Sequence, residues 1–192
     1  MKTITIYCAS SSKIDPVYME QAALLGNLMA SRGFACINGG GNKGLMATVS
    51  DAVLAEGGKV IGVIPQFMVD EGWFHPCLTE MIVTDGMHTR KQTMAKKSDG
   101  CIALPGGIGT LEELMEIITW KQLGLYEKPI VILNINGYYD DLLKMLGKAI
   151  AENFMHLKHQ HIYQVTNSIE EAIKIIEENE VWMKNPRSIA AL

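Results

Sequence analysis

The chain carries a glycine-rich segment followed by two adjacent acids, at residues 104–113, with the sequence LPGGIGTLEE. The apolar run Gly100–Leu104 before it predicts a buried strand, and Leu111–Leu123 after it predicts an amphipathic helix. A glycine-rich turn that leads into a helix presents backbone N–H groups to an anion, and the helix N-terminus adds roughly half a positive charge. A phosphate site alone does not need two carboxylates in the first helical turn. The segment therefore predicts a site that binds a phosphorylated ligand and carries out acid–base chemistry on it.

Two cations, Arg90 and Lys91, open the predicted helix Met87–Lys97. Their charges oppose the helix dipole at a position where carboxylates are normally favoured. This placement indicates that the two side chains face an anion, while the alternative is that both are solvated surface residues. Arg90 and Lys91 are therefore candidates for contact with the phosphorylated ligand.

The acid Glu113 has a purely structural alternative. Thr110 and Glu113 have the spacing of a capping box, in which the glutamate would close the helix N-terminus and contribute about 1 kcal/mol. A cap does not explain why three glycines precede the box within four residues, since one glycine would make the turn. A carboxylate near a helix N-terminus is also expected to stay ionised, which suits the stabilisation of a developing positive charge.

Strand-like and helix-like patterns alternate along the whole chain. Strands are predicted at Thr3–Cys8, Phe34–Ile37, Lys59–Ile64, Thr79–Thr84, Gly100–Leu104, Pro129–Leu133 and Ile162–Val165. Helices are predicted at Pro16–Ser31, Leu45–Glu56, Met87–Lys97, Leu111–Leu123, Tyr139–Glu152 and Ile169–Glu178, and Pro65–Pro76 is predicted to be a loop near the site. Apolar strands that each precede an amphipathic helix predict an α/β fold: a Rossmann-like, doubly wound parallel sheet with helices on both faces. We expect a single domain over residues 1–178 and a loosely attached tail over 179–192.

Ligands bind at the carboxyl ends of the strands in such a sheet. Three loops rich in glycine or serine fall at those ends, namely Ala9–Ser12, Asn38–Gly44 and Pro105–Thr110. Their convergence on one edge is a stronger indication of a site than any single loop. It makes Ser11, Gly40 and Gly41 candidate binding residues.

A dinucleotide cofactor is disfavoured. Gly39, Gly41 and Gly44 have the spacing G-x-G-x-x-G, but the following strand ends in Pro65-Gln66 with no acid to hold a ribose. This argues against an NAD-dependent oxidoreductase. Lys43 precedes Gly44 and does not form a P-loop.

Composition excludes further classes of function. A net charge of −4 gives no basic face for nucleic acid, and no apolar run is long enough for a membrane span. The four cysteines show no C-x-x-C spacing, which favours reduced thiols in the cytoplasm. His156, His159 and His161 lack the spacing of ligands on one helix or strand face, so we predict no metal and no cofactor.

The segments MHTRK at 87–91 and PGGIGTLEE at 105–113 resemble the Lonely Guy (LOG) family of cytokinin riboside 5′-monophosphate phosphoribohydrolases, which is recognised by P-G-G-x-G-T-x-x-E. Further matches are YCASS at 7–11, GGG at 39–41 with GLM at 44–46, VIGVIP at 60–65 and IITW at 117–120. The resemblance runs in order from about residue 4 to residue 140. Members have often been labelled lysine decarboxylases, but the chain has no recognisable pyridoxal-phosphate lysine motif.

The resemblance implies hydrolysis of the N-glycosidic bond in an adenine-type nucleoside 5′-monophosphate, either AMP or a cytokinin riboside 5′-monophosphate, to the free base and ribose 5-phosphate. The family's catalytic residues fall on Arg90 and Glu113. Ungapped counting places the family's loop acid at Gly72, so the adjacent Glu71 is expected to take that role. A homodimer with the site near the subunit contact is also implied. The resemblance and the three loops together give these substrate-binding residues: Ser11, Gly40, Gly41, Glu71, Arg90, Lys91, Gly106, Gly107, Ile108, Gly109, Thr110, Leu111, Glu112, Glu113 and Thr119.

The expected chemistry passes through an oxocarbenium-like sugar, by analogy with O-glycoside hydrolysis. Glu113 would stabilise that cation or orient the attacking water, and backbone N–H groups of Gly107, Gly109 and Thr110 would hold the phosphate with help from the loop at 39–41. Arg90 would neutralise charge at the phosphate or at the departing base, and both roles stay open. The alternative is a non-catalytic nucleotide or cofactor carrier of similar fold, which would not need Arg90 and Glu113 together.

Overall fold

A parallel sheet forms the centre of the molecule in the computed structural model, which describes residues 2–179, 182–183 and 186–189. Its seven strands within those residues have the order β4-β3-β2-β1-β5-β6-β7, and every neighbouring pair is parallel. Their bounds are β1 (Thr3–Tyr7), β2 (Ala35–Asn38), β3 (Val60–Pro65), β4 (Glu80–Thr84), β5 (Gly100–Ala103), β6 (Ile130–Leu133) and β7 (Gln164–Thr166). The order reverses between β1 and β5, so the crevice at their carboxyl ends is where a ligand is expected.

Helices cover both faces of the sheet. Their bounds are α1 (Pro16–Ser31), α2 (Gly44–Ala55), α3 (Gln66–Asp70), α4 (Met87–Lys97), α5 (Ile108–Gln122), α6 (Asp140–Ala151) and α7 (Ile169–Glu178). One core cluster joins α1, α2 and α7 to side chains such as Ile4 and Ile6 of β1, and a second joins α4 and α5 to Tyr7 of the same strand. Both faces of β1 are buried, and the hydroxyl of Thr5 on the second face donates to Met94 O at 3.2 Å. The predicted doubly wound α/β fold is confirmed.

Several predicted bounds hold and others shift. The bounds of α1, α4 and α7 are those predicted, whereas α5 begins at Ile108, three residues before the predicted Leu111. The predicted loop Pro65–Pro76 contains the short helix α3, in which the side chain of Gln66 donates to Asp70 Oδ1 at 2.7 Å. A helix of five residues is too short to show a helical period in sequence.

The carboxyl-terminal part of the chain adds short 3₁₀ helices. The three histidines lie around one of them, Leu157–His161, where His156 Nδ1 accepts from Lys158 N and His159 Nδ1 accepts from His156 N. The predicted tail 179–192 falls partly outside the described residues, at 180–181, 184–185 and 190–192, and the boundary at 178 stays a prediction. Among the described residues, no helix combines the length and apolar character that a membrane crossing requires.

Candidate active site

Backbone hydrogen bonds join the three predicted loops at the carboxyl edge of the sheet. The N–H of Ala9 donates to the carbonyl of Pro105 at 3.2 Å, and the N–H of Met46 donates to the carbonyl of Ala9 at 3.3 Å. The loop after β1 therefore lies between the glycine loop after β2 and the glycine turn after β5. The structure brings together the loops that the sequence placed at one edge.

Gly44 allows this close approach. A Cβ at position 44 would lie 2.5 Å from the backbone of both Ser10 and Ser11, and the φ of Gly44 is +61°. The Oγ of Ser11 is exposed and accepts a hydrogen bond from Lys13 N at 3.3 Å. Ser11 thus lies next to the start of α2, and its role in binding stays a prediction.

Arg90 is buried at the base of the site, in the first turn of α4. Its Nε donates to the carbonyl of Val63 at 3.0 Å, which fixes the guanidinium over the end of β3. Its Nη2 lies 3.8 Å from Glu113 Oε1. A Cβ at Gly39 would lie 1.8 Å from the same Nη2, so the guanidinium occupies the space that any side chain at position 39 would need.

Glu113 is not a helix cap. Helix α5 begins at Ile108 with Gly107 as its N-cap, which places Thr110 inside the first turn and the two adjacent acids in the second. The capping-box alternative for Thr110 and Glu113 is therefore wrong, and so is the placement of both carboxylates in the first turn. Sequence spacing missed this start because the first turn contains Gly109 and an exposed Ile108, which carry no apolar period.

The Glu113 carboxyl is nearly buried, with 11% of its side chain exposed. Burial raises its pKa to about 7; the positive charge of Arg90 opposes the shift, and the negative charge of Glu112 adds to it. The expectation that this carboxyl stays firmly ionised is therefore wrong, because desolvation outweighs the neighbouring positive charge. A carboxyl with a pKa near neutrality suits general acid–base chemistry.

Lys91 faces α5. Its Nζ donates to the carboxylate of Glu112 and to Glu116 Oε1, the latter at 3.1 Å. Burial lowers the pKa of Lys91, but hydrogen bonds to the two carboxylates outweigh that effect and raise it. Lys91 thus ties α4 to α5 beside the facing pair of Arg90 and Glu113, and its charge is already balanced in the free protein.

The glycine turn offers an open helix N-terminus. Pro105 and Gly106 are buried, whereas Gly107, Ile108 and Gly109 are exposed. The first N–H groups of any α-helix have no partner within the helix, so those of Ile108, Gly109 and Thr110 are free to bind an anion. A Cβ at Gly106 would lie 2.1 Å from Thr110 Oγ1, so only glycine allows the turn to fold back on the helix.

The glycine loop after β2 contributes fewer donors than expected. The N–H of Gly40 donates to Asn38 Oδ1 at 2.8 Å, and the N–H of Gly41 lies 3.0 Å from Met46 Sδ. These two amides already have partners, at the end of β2 and in the first turn of α2. The loop therefore supports the site by close packing on Arg90.

The remaining predicted residues lie further from the turn. Glu71 is exposed at the end of α3, on a segment joined to the glycine loop by the bridge between Gly41 and Phe74. Thr119 lies on the exposed side of α5 and donates to Met115 O at 2.8 Å. It is about 16 Å along the helix from Ile108. Within one chain, Thr119 does not reach the glycine turn.

Comparison with known proteins identifies the family. The family model described as "Possible lysine decarboxylase" matches residues 46–176. The cytokinin riboside 5′-monophosphate phosphoribohydrolase LOG1 of Arabidopsis thaliana is 42% identical over 177 residues, which cover 92% of this chain and 83% of the relative. The probable phosphoribohydrolase LOGL2 of Oryza sativa subsp. japonica is 40% identical and covers 92% of this chain and 72% of the relative. The chain belongs to the LOG family.

Solved structures share the fold of this LOG family member. The molybdenum cofactor binding protein of Rippkaea orientalis is 25% identical with a TM-score of 0.70, over 92% of this chain and 96% of that one. The molybdenum cofactor carrier protein of Chlamydomonas reinhardtii is 22% identical with a TM-score of 0.71 over the same shares. The α/β architecture is thus common to LOG proteins and to proteins named as carriers.

Sequence reasoning missed two tyrosines that contact the glycine turn. The hydroxyl of Tyr138 donates to Gly106 O at 2.7 Å, and that of Tyr139 donates to Leu104 O at 2.6 Å. Their position between β6, the strand beside β5, and the start of α6 was the available signal. Within the described part of the chain, no group of three or more histidine, cysteine, aspartate or glutamate side chains could hold a metal.

The raised pKa of Glu113 predicts a dependence of stability on pH. Its carboxyl has a pKa of about 7 in the folded state against an ordinary value of 4.5, so stability present below pH 4.5 is lost as the pH rises to about 7. Glu113→Gln cannot ionise and should be more stable than the wild type above that pH by about 3 kcal/mol. Urea unfolding of both proteins across this range measures the difference. An equal difference at all pH values would contradict the burial of an ionising carboxyl.

Proposed function

We propose that this LOG family chain hydrolyses the N-glycosidic bond of adenine-type nucleoside 5′-monophosphates, AMP and cytokinin riboside 5′-monophosphates, to the free base and ribose 5-phosphate. The observation that carries the proposal is the nearly buried Glu113 carboxyl, 3.8 Å from the Arg90 guanidinium and beside an open glycine turn. The relatives named above as cytokinin riboside 5′-monophosphate phosphoribohydrolases support it.

The 5′-phosphate binds at the start of α5 in this proposal. The N–H groups of Gly107, Gly109 and Thr110 receive the phosphate oxygens, and the helix dipole favours their negative charge. Binding energy from the phosphate then positions the reacting ribose carbon. Arg90 supplies a fixed positive charge to the phosphate or to the departing base.

Glu113 acts at the anomeric carbon. As the bond from the ribose carbon to the base nitrogen breaks, positive charge develops on the sugar. The ionised carboxylate stabilises that charge and orients the water whose oxygen forms the new bond. The proton that this water loses passes to the carboxylate and from there to the departing base. A pKa of about 7 lets the same group accept a proton from water near neutral pH.

A non-catalytic carrier is the competing function, and the carriers of the same fold favour it. A carrier needs the glycine loops for binding but gains nothing from a desolvated carboxyl beside a guanidinium. Burying such a group costs folding free energy, which a binding role alone does not require. The facing pair of Arg90 and Glu113 therefore favours the hydrolase.

Glu113→Gln tests the proposal directly. The substitution keeps the shape but removes the negative charge, so turnover should fall about 10²- to 10⁴-fold with little change in nucleotide affinity. Release of adenine from AMP, measured by chromatography, reports the rate, and calorimetric titration with AMP reports the affinity. Glu20→Gln, on the exposed side of α1, is the control. Release at the wild-type rate by Glu113→Gln would remove Glu113 from catalysis and favour the carrier.

Gly39→Ala tests the position of Arg90. The new methyl group would occupy the place of Nη2 and push the guanidinium out of its contact with Val63. We expect kcat/KM to fall about 10²-fold, because a displacement of about 1 Å can cost that much. Gly86→Ala is the matched control, since Gly86 precedes the same helix and a Cβ there meets nothing within 4 Å. Equal rates for the two variants would show that the guanidinium position does not matter.

We also propose a homodimer in the cytoplasm. The exposed position of Thr119 on α5 supports this, because a residue that cannot reach the turn of its own chain is free to contribute to a second copy. Light scattering on the eluting protein should give twice the chain mass of 21.2 kDa. A mass of one chain at all concentrations tested would contradict the homodimer.

A further inference from the structure

We infer that Tyr138 is a positioning residue, which holds the glycine turn so that the N–H of Gly107 points at the 5′-phosphate. The inference rests on the proposed function and names a residue outside the motifs of the turn itself. Tyr138 comes from the loop after β6 and reaches the turn after β5 with its hydroxyl, which donates to Gly106 O at 2.7 Å.

The carbonyl groups of the turn all have partners. Leu104 O accepts from the hydroxyl of Tyr139 at 2.6 Å, and Pro105 O accepts from the N–H of Ala9 at 3.2 Å. With the bond from Tyr138 to Gly106 O, three successive carbonyls are fixed from outside the turn. A glycine-rich segment left to itself would sample many backbone conformations, so these bonds select one of them.

The peptide plane carries this effect to the ligand side. Every peptide bond in the described chain is trans, and in a trans peptide the C=O and the next N–H point in opposite directions. The carbonyl of Gly106 points at Tyr138, so the N–H of Gly107 points away from it. Gly107 itself is exposed and is the N-cap of α5. The hydrogen bond from the Tyr138 hydroxyl therefore also sets the direction of the Gly107 N–H on the other side of the peptide plane.

The loop that carries Tyr138 is itself built to be rigid. Asn134 accepts from Tyr139 N at 2.7 Å through Oδ1 and donates to Asp140 Oδ1 at 2.8 Å through Nδ2. The rings of Tyr138 and Tyr139 meet edge to face with centroids 5.1 Å apart, and Tyr18 packs edge-on against Tyr138 at 6.1 Å. The phenol ring of Tyr138 thus contacts two others although 45% of the residue is exposed, and these contacts favour the direction in which its hydroxyl meets Gly106 O.

Tyr138→Phe removes the hydroxyl and keeps the ring. Loss of one neutral hydrogen bond predicts a Kd for ribose 5-phosphate about 3- to 10-fold higher. The Kd for adenine should stay within about twofold, because the base lies away from the phosphate end of the nucleotide. Calorimetric titration of the full chain with each compound gives both constants, and thermal unfolding confirms that the variant is folded.

Tyr18→Phe is the matched control, since it removes a hydroxyl from the same ring cluster and no hydrogen bond of that hydroxyl occurs within the described chain. It should leave both constants unchanged. The inference would be overturned if Tyr138→Phe lowered the affinities for ribose 5-phosphate and adenine equally, or lowered neither. It would also be overturned if the wild type did not bind ribose 5-phosphate. A wild type that binds ribose 5-phosphate but releases no base overturns the proposed function alone, because the two affinities still test Tyr138.

Discussion

The close approach of a buried guanidinium and a nearly buried carboxyl, Arg90 and Glu113, is the interaction on which the rest of the site depends. Charges removed from water are tolerated only when neighbouring groups compensate for their lost hydration. Arg90 donates to a carbonyl of β3, whereas the carboxyl of Glu113 faces the guanidinium at 3.8 Å, and burial raises the pKa of this carboxyl to about 7. Two further features keep this pair in place. Lys91 donates hydrogen bonds to two acids of α5, and the absence of a side chain at Gly39 leaves room for the guanidinium.

The division of labour between helices and loops follows from the sheet. The side chains with charge lie on α4 and α5, whose buried faces pack on the second core cluster and leave little freedom of position. The loops contribute backbone, where glycine allows a ligand or a neighbouring chain segment to come close. In the proposed function, the helices hold the reacting groups, and the backbone amides at the start of α5 bind the phosphate. Burial of the Glu113 carboxylate lowers the free energy of unfolding, and the two apolar core clusters offset this loss.

Sequence patterns predicted the alternation of strands and helices because both faces of each central strand are buried. Strand ends placed the three loops at one edge, whereas the resemblance to the LOG family paired Arg90 with Glu113; the structure places these two side chains 3.8 Å apart. They missed the start of α5, where an exposed Ile108 breaks the apolar period, and the short helix α3. The contact of Tyr138 with Gly106 was also out of reach, because it joins residues 32 positions apart through their tertiary packing. The same holds for Lys91, whose pairing with Glu112 depends on how two helices pack.

The overlap between the space at Gly39 and the arginine head group links two positions that lie far apart in the chain. A larger residue at position 39 is compatible only with a shorter or displaced side chain at position 90. The two positions are therefore expected to co-vary among related sequences. Within a collection of related genes, alanine or serine at the first of them would then mark descendants that have given up the cation. Position 39 in an alignment of related sequences would then distinguish chains that can cleave the bond from chains that only bind a nucleotide.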